Sequence, residues 1–192
     1  MIDQTIFRTV GGPSLIGVDW VVRYHRPEET LGNACSQWAY EGLTVRWLRG
    51  DRMRTVDGVF DEFSAAMQFP WYFGQNWGAF DECLGDLEWI EFSALVIVIF
   101  DADQVLVEDP LDMSAFLRGV VGAYEQFAQP IDRGEWWDRP AKPFHVVLQM
   151  SEAESHRWLS GLEAIRVDNR GATLSEGGLT LGWLEEIPPT QV

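Results

Sequence analysis

The chain has 192 residues, 46% of them hydrophobic, with a formal net charge of −16 and a pI of about 4.4. That much apolar material at this length builds a packed core and excludes wholesale disorder. The acid excess argues against nucleic acid and anionic membranes as direct ligands, because polyanions are held through Lys and Arg, and points instead to a cationic partner or simply to solubility.

In chain order, the first convincing element is a strand over residues 15–24, rich in Ile, Val and Trp, and the RPEETLGN at its end reads as turn chemistry. LTVRWL (43–48) predicts a second strand and Arg49-Gly50-Asp51 a turn. A helix is predicted over 55–67, where Val56, Val59, Phe60, Phe63 and Met67 recur at three- and four-residue spacing. Phe69-Pro70 should end it, since Pro drives the residue before it out of the helical region. After a loop comes a helix over 76–87, with Asn76 placed as its N-cap. ALVIVIF (94–100) is a β-branched run of the kind buried on both faces of a parallel sheet. A helix over 112–126, a Pro-, Trp- and Gly-rich loop over 129–143 and a strand over 144–150 follow. Residues 151–165 read as a further helix, and Gly177-Gly178 as the turn of a hairpin between Ala172 and Leu184. Strands alternating with helices imply an α/β fold with a mainly parallel central sheet of three or more strands and right-handed crossovers.

Cys35 and Cys83 are too few for a disulfide framework, and Cys83 falls on the apolar side of its helix as an inert thiol. With no CxxC and only three scattered histidines (His25, His145, His156), neither a metal site nor a cofactor is expected. His145 reads as a satisfied core residue, and Glu152, Glu154 and His156 as ordinary helix-start polar residues. MIDQTIFRTV has neither the basic start nor the apolar stretch of a secretory signal, and the longest strongly apolar run (95–100) is too short for a bilayer. A cytoplasmic location is expected.

From Thr55 to Leu117 there is no Lys, Arg or His, but there are thirteen Asp and Glu. Single-sign fields of this kind destabilise a compact state, so either a partner or the rest of the fold must balance them. On the 76–87 helix, Trp77, Phe80, Cys83, Leu84 and Leu87 gather on one side. Gly78, Asp81, Glu82 and Gly85 gather on the other, with Asp86 at its margin. Glycine costs a helix about 1 kcal/mol relative to Ala, and two of them beside the acids suggest room left for another surface to approach. The bland alternative is a solvated acidic face.

FPWYFGQNWGAFDECL (69–84) resembles the signature segment of the barstar family, intracellular inhibitors of secreted ribonucleases, and LTVRWLRGDRMRTVDGVFDEFSAAM before it matches that family's first strand, turn and first helix. The resemblance spans residues 43–150 and divides the chain into an N-terminal extension (1–42) packed on the core, a barstar-like domain (43–150) and a C-terminal extension (151–192). It implies a protein that occludes the active site of a cationic ribonuclease or ribonuclease toxin, is itself no enzyme, and is monomeric when free. By that resemblance Tyr72 is the loop aromatic against the enzyme, Asn76 the capping Asn, and Glu82 the dominant contact acid, one methylene longer than the usual Asp. Gly78 stands where a second contact acid is expected and Asp81 where an aromatic contact is, so Asp81 is placed to replace the missing charge. Asp86 completes the acidic face.

Two other readings stay open. The same fold could serve as a non-inhibitory protein–protein interaction module. Asp101-Ala102-Asp103, directly after the buried strand, is similar to the nucleophile-and-acid motif of magnesium-dependent haloacid-dehalogenase-like phosphohydrolases. There, however, the single lysine, Lys142, lies before a strand and between prolines. Trp71, Tyr72, Phe73 and Trp77 could stack on bases or anchor a protein interface, and the absence of Lys and Arg around them favours the interface.

Overall fold

A computed structural model describes residues 21–24, 28–150 and 182–183. Its elements run β1 (Val21–Tyr24), α1 (Glu28–Tyr40), β2 (Thr44–Arg49), α2 (Val56–Ala66), α3 (Trp77–Asp86), β3 (Leu95–Phe100), α4 (Met113–Ala128), β4 (Phe144–Gln149) and β5 (Gly182–Trp183). The strands form one sheet in the order β2-β3-β4-β1-β5, and every pairing is parallel. Among the described residues no helix is long and apolar enough to cross a membrane.

Register fixes the two faces of the sheet. Leu48, Ile99 and Leu148 lie side by side, as do Leu95 and Phe144, and this face packs against α2, α3 and α4 through Phe60, Phe63, Phe80, Phe116 and Phe127. Val96, Val98, Phe100 and Val147 point the other way and are covered by Leu31, Ala34, Cys35 and Trp38 of α1. Burial on both sides explains why β3 is apolar without alternation. The steps from β2 to β3 to β4 move across the sheet in one direction, and the step from β1 to β2 moves back. A single crossover hand then demands helices on opposite faces, which is where α1 and the other helices lie.

Most expected elements form close to their expected limits, with three corrections. RPEETLGN is not a turn: α1 starts at Glu28, and Leu31, Ala34, Cys35 and Trp38 form its buried stripe. Pro70 does not stop α2. The helix ends earlier, where Gln68 turns left-handed (φ 51°) and the Phe69 N–H closes back on the Ser64 carbonyl at 2.9 Å, a Schellman ending. His145 is buried at 2% exposure, but neither ring nitrogen finds a hydrogen-bond partner among the described residues. Of the expected hairpin only Gly182–Trp183 is described, and it pairs in parallel with β1. The helix over 151–165, with Glu152, Glu154 and His156, and the first part of the 15–24 strand lie outside the described residues.

β2 forms one border of the sheet. Its Thr44 N–H points inward to the Ala94 carbonyl at 3.0 Å, so Val45, Trp47 and Arg49 turn their backbone groups outward. The Arg49 N–H is taken by Glu62 Oε1 at 3.0 Å and the Val45 carbonyl by the Arg46 guanidinium at 3.3 Å.

Candidate functional site

The segment between α2 and α3 is held by alternate aromatics. Phe69 and Phe73 turn inward, meeting each other at 5.0 Å and the rings of Phe80 and Phe60 at 6.2 and 5.7 Å. Trp71 and Tyr72 turn outward at 95% and 62% exposure, their rings edge to face at 5.8 Å. The Phe73 N–H donates to the Pro70 carbonyl at 2.9 Å and closes a turn under that pair. Of the four aromatics singled out in the sequence, Phe73 and Trp77 pack partly buried against the core, and Trp71 and Tyr72 lie on the surface.

The start of α3 is pinned on both sides. Asn76 Oδ1 accepts the Ala79 N–H at 3.0 Å as an N-cap, and its Nδ2 donates to the Gly74 carbonyl at 3.0 Å. The Trp77 indole N–H donates to Asp112 Oδ1 at 2.8 Å, tying the helix to the start of α4 while its ring packs on Phe60 at 4.9 Å. Phe80, Cys83, Leu84 and Leu87 are buried as the helical spacing requires. The Cys83 thiol is pushed up by burial and by its neighbours Glu82 and Asp86.

On the opposite side Gly78, Asp81, Glu82 and Asp86 are exposed, but Gly85 is not. A Cβ at Gly85 would lie 2.5 Å from Gln126 Oε1, so the surface that comes close there is the chain's own α4. A Cβ at Gly119 of α4 would likewise lie 2.5 Å from Asp81 Oδ1 and 2.9 Å from the Phe80 ring. Of the two glycines expected to leave room, only Gly78 does so, where among the described residues nothing but the capping Asn76 oxygen is near.

Among the described residues Asp81, Glu82 and Asp86 form no ion pair. Partial burial against α4 raises the Asp81 carboxyl above its ordinary range, with Arg118 pulling the other way. Asp86 is raised by burial and by repulsion from Glu88 and Glu82, opposed by Arg139. Other acids of the cation-free stretch are occupied. Glu62 makes a two-pronged pair with Arg49 at 2.8 and 2.9 Å, Glu108 pairs with Arg54 at 2.7 Å, and Asp109 accepts the Val56 N–H at 2.8 Å. The fold absorbs part of the charge imbalance and leaves the α3 carboxylates without an ion pair among the described residues, with Arg118 and Arg139 acting on Asp81 and Asp86 only at longer range.

The Asp101–Asp103 segment presents no comparable assembly. Asp101 stands at the carboxyl end of β3, while Lys142 lies before the amino end of β4 with its ammonium 4.3 Å from the centre of the Phe92 ring. Six residues of parallel strand put these ends roughly 20 Å apart. Among the described residues no three His, Cys, Asp or Glu side chains converge as a metal-binding set.

The family model for barstar, the barnase inhibitor, matches residues 43–149, more than half of the chain. The chain belongs to the barstar family. The barstar segment runs from β2 to β4 and includes the Trp71–Tyr72 loop and the whole of α3. No curated protein matches the sequence. Two solved structures, of Drosophila ORC with Cdc6 bound to GC-rich or AT-rich DNA, are similar at 11% identity and a TM-score of 0.46 each. They cover 87% and 94% of this chain, which spans 48% and 53% of theirs, and a likeness at that level says nothing of what a barstar-family chain binds.

Proposed function

We propose that this protein inhibits a basic ribonuclease by seating the exposed face of α3 and the Trp71–Tyr72 loop in the enzyme's active-site cleft. The observation that carries the reading is the trio Asp81, Glu82 and Asp86, exposed on one helix, unpaired within the described residues and flanked by two outward aromatics. Membership of a family described by barnase inhibition supports it. A ribonuclease site is cationic because it binds phosphate and stabilises its developing charge. Carboxylates entering it form charge-assisted hydrogen bonds with Arg, Lys and protonated His, and so occupy the places of substrate phosphates. Tyr72 and Trp71 supply rigid apolar area at the rim. Asn76 acts at one remove by holding the start of α3, and Gly78 keeps the first turn open to close approach.

The deciding measurement is RNA cleavage by barnase titrated with the protein, alongside the affinity of the complex. Glu82→Ala is expected to weaken binding at least tenfold, about 1.4 kcal/mol. Unchanged affinity would remove Glu82 as an anchor, and full cleavage at saturating protein would overturn the inhibitory reading.

A further inference from the structure

Resting on that reading of α3, we propose that the loop between α4 and β4 carries a second anchor for the same ribonuclease, built on Trp136 and Trp137. Trp136 is 89% exposed and Trp137 47%, and their rings meet edge to face at 5.3 Å. Tryptophan is the residue most enriched where binding energy concentrates, and two adjacent indoles left in water form a patch that association would cover.

The loop is built to hold them still. Ile131 and Arg139 exchange two backbone hydrogen bonds, at 2.8 and 3.0 Å, closing its neck. The Asp138 carboxylate accepts the N–H groups of Arg133, Gly134 and Glu135 at 2.7 to 3.1 Å, with Gly134 at φ 78° making the bend. A contact presented in this fixed form loses little conformational entropy on binding.

Its position continues the acidic face. Arg139 donates to the carbonyls of Gln126 and Gln129 at 3.1 and 3.3 Å, lies 4.8 Å over the Phe127 ring, and is close enough to Asp86 to oppose that carboxyl's rise. The loop therefore stands beside the end of α3, where Gly85 abuts Gln126. Ten helical residues span about 15 Å, so α3 starts just after the exposed Trp71–Tyr72 pair and ends beside the neck of the loop that carries Trp136 and Trp137.

The partner's chemistry follows from what the loop withholds. Arg139 and Lys142 are turned onto Phe127 and Phe92, and among the described residues no cation lies over either exposed indole. The ring faces are open to Arg and Lys on the rim of a basic enzyme through cation–π contact.

The test uses the full chain and barnase. Trp136→Ala and Trp137→Ala, singly and together, are expected to keep the thermal midpoint, and the double variant to bind at least tenfold more weakly through faster dissociation. If either variant loses its fold, oxidation of the two indoles by N-bromosuccinimide in the wild-type complex takes its place, and protection is expected. Wild-type affinity in the double variant, or undiminished oxidation in the complex, while Glu82→Ala weakens binding, overturns the second anchor alone. Failure of barnase to bind the unaltered protein overturns the reading of α3 and this anchor with it.

Discussion

His145 lies on the sheet face that α1 covers, beside Val96, and burial pushes its pKa down to about 4. Unfolded, it titrates near 6.5. Below that value the denatured chain takes up a proton that the fold refuses, so this contribution is complete above about pH 6.5 and drains away as pH falls toward 4. The slope is about 1.4 kcal/mol per pH unit. Asp81 and Asp86 act with the opposite sign, because carboxyls raised by burial bind protons more readily when folded and favour the fold on acidification. Urea melts at pH 7 and pH 5 are expected to show His145→Leu losing less stability between the two than the wild type, by about 2 kcal/mol. Equal losses would mean the imidazole is not buried neutral. The same carboxyls give ribonuclease binding a pH dependence: affinity should decline on acidification earlier than ordinary carboxylates dictate, and Asp81→Asn should flatten that decline. The N-cap at Asn76 and the buried side of α3 were legible in the sequence because each depends on local chemistry or helical period alone. The lack of a partner for His145 among the described residues was not, since it depends on which polar groups neighbouring elements bring within reach.

Helices α3 and α4 cross where Gly85 and Gly119 remove side chains from the seam, and the two positions are not equivalent. A methyl at Gly85 meets the far end of the flexible Gln126 side chain, which can swing away, and gains helix propensity of about 1 kcal/mol. At Gly119 it meets the Phe80 ring, fixed in the core at 0% exposure. Gly119→Ala is therefore expected to destabilise the protein by about 1–3 kcal/mol and Gly85→Ala to be near neutral. Among the described residues none approaches the place of a Cβ at Gly32 in α1, so Gly32→Ala should stabilise by about 0.5–1 kcal/mol. Chemical melts of the three variants check the ordering. The overlooked α1 shows how local signals compete. Its apolar residues stand at 31, 34, 35 and 38, a helical period, but Pro27 and Gly32-Asn33 speak for a turn. Tertiary burial of the stripe on Val96 and Val98 decided between them. The glycine pair was misread for a related reason: sequence places Gly85 on the acidic side of its own helix and cannot show a second helix arriving there.

The family match begins at residue 43, yet the sheet does not. β1 pairs along β4, and α1 covers the face formed by Val96, Val98, Phe100 and Val147. A fragment restricted to 43–150 would open the β4 edge and uncover that apolar face, and is expected to aggregate where the full chain stays dispersed, as size-exclusion chromatography would show. The α/β class and the parallel sheet were legible from the alternation of strand and helix patterns. The strand order was not, because pairing partners so distant in sequence leave no local trace. With a net charge of −16, association with a basic ribonuclease should slow steeply as salt is added while dissociation changes less. Rates indifferent to salt would argue against steering by the molecule's field. At the border of the sheet, the bonds from Glu62 and Arg46 to the outward groups of β2 act as stoppers on a seam that could otherwise zip onto an identical seam. Stockpiling the protein ahead of an encounter then carries little danger of fibrous self-assembly, and Glu62→Ala, which unplugs one stopper, should raise the tendency to fibrillise in concentrated solution.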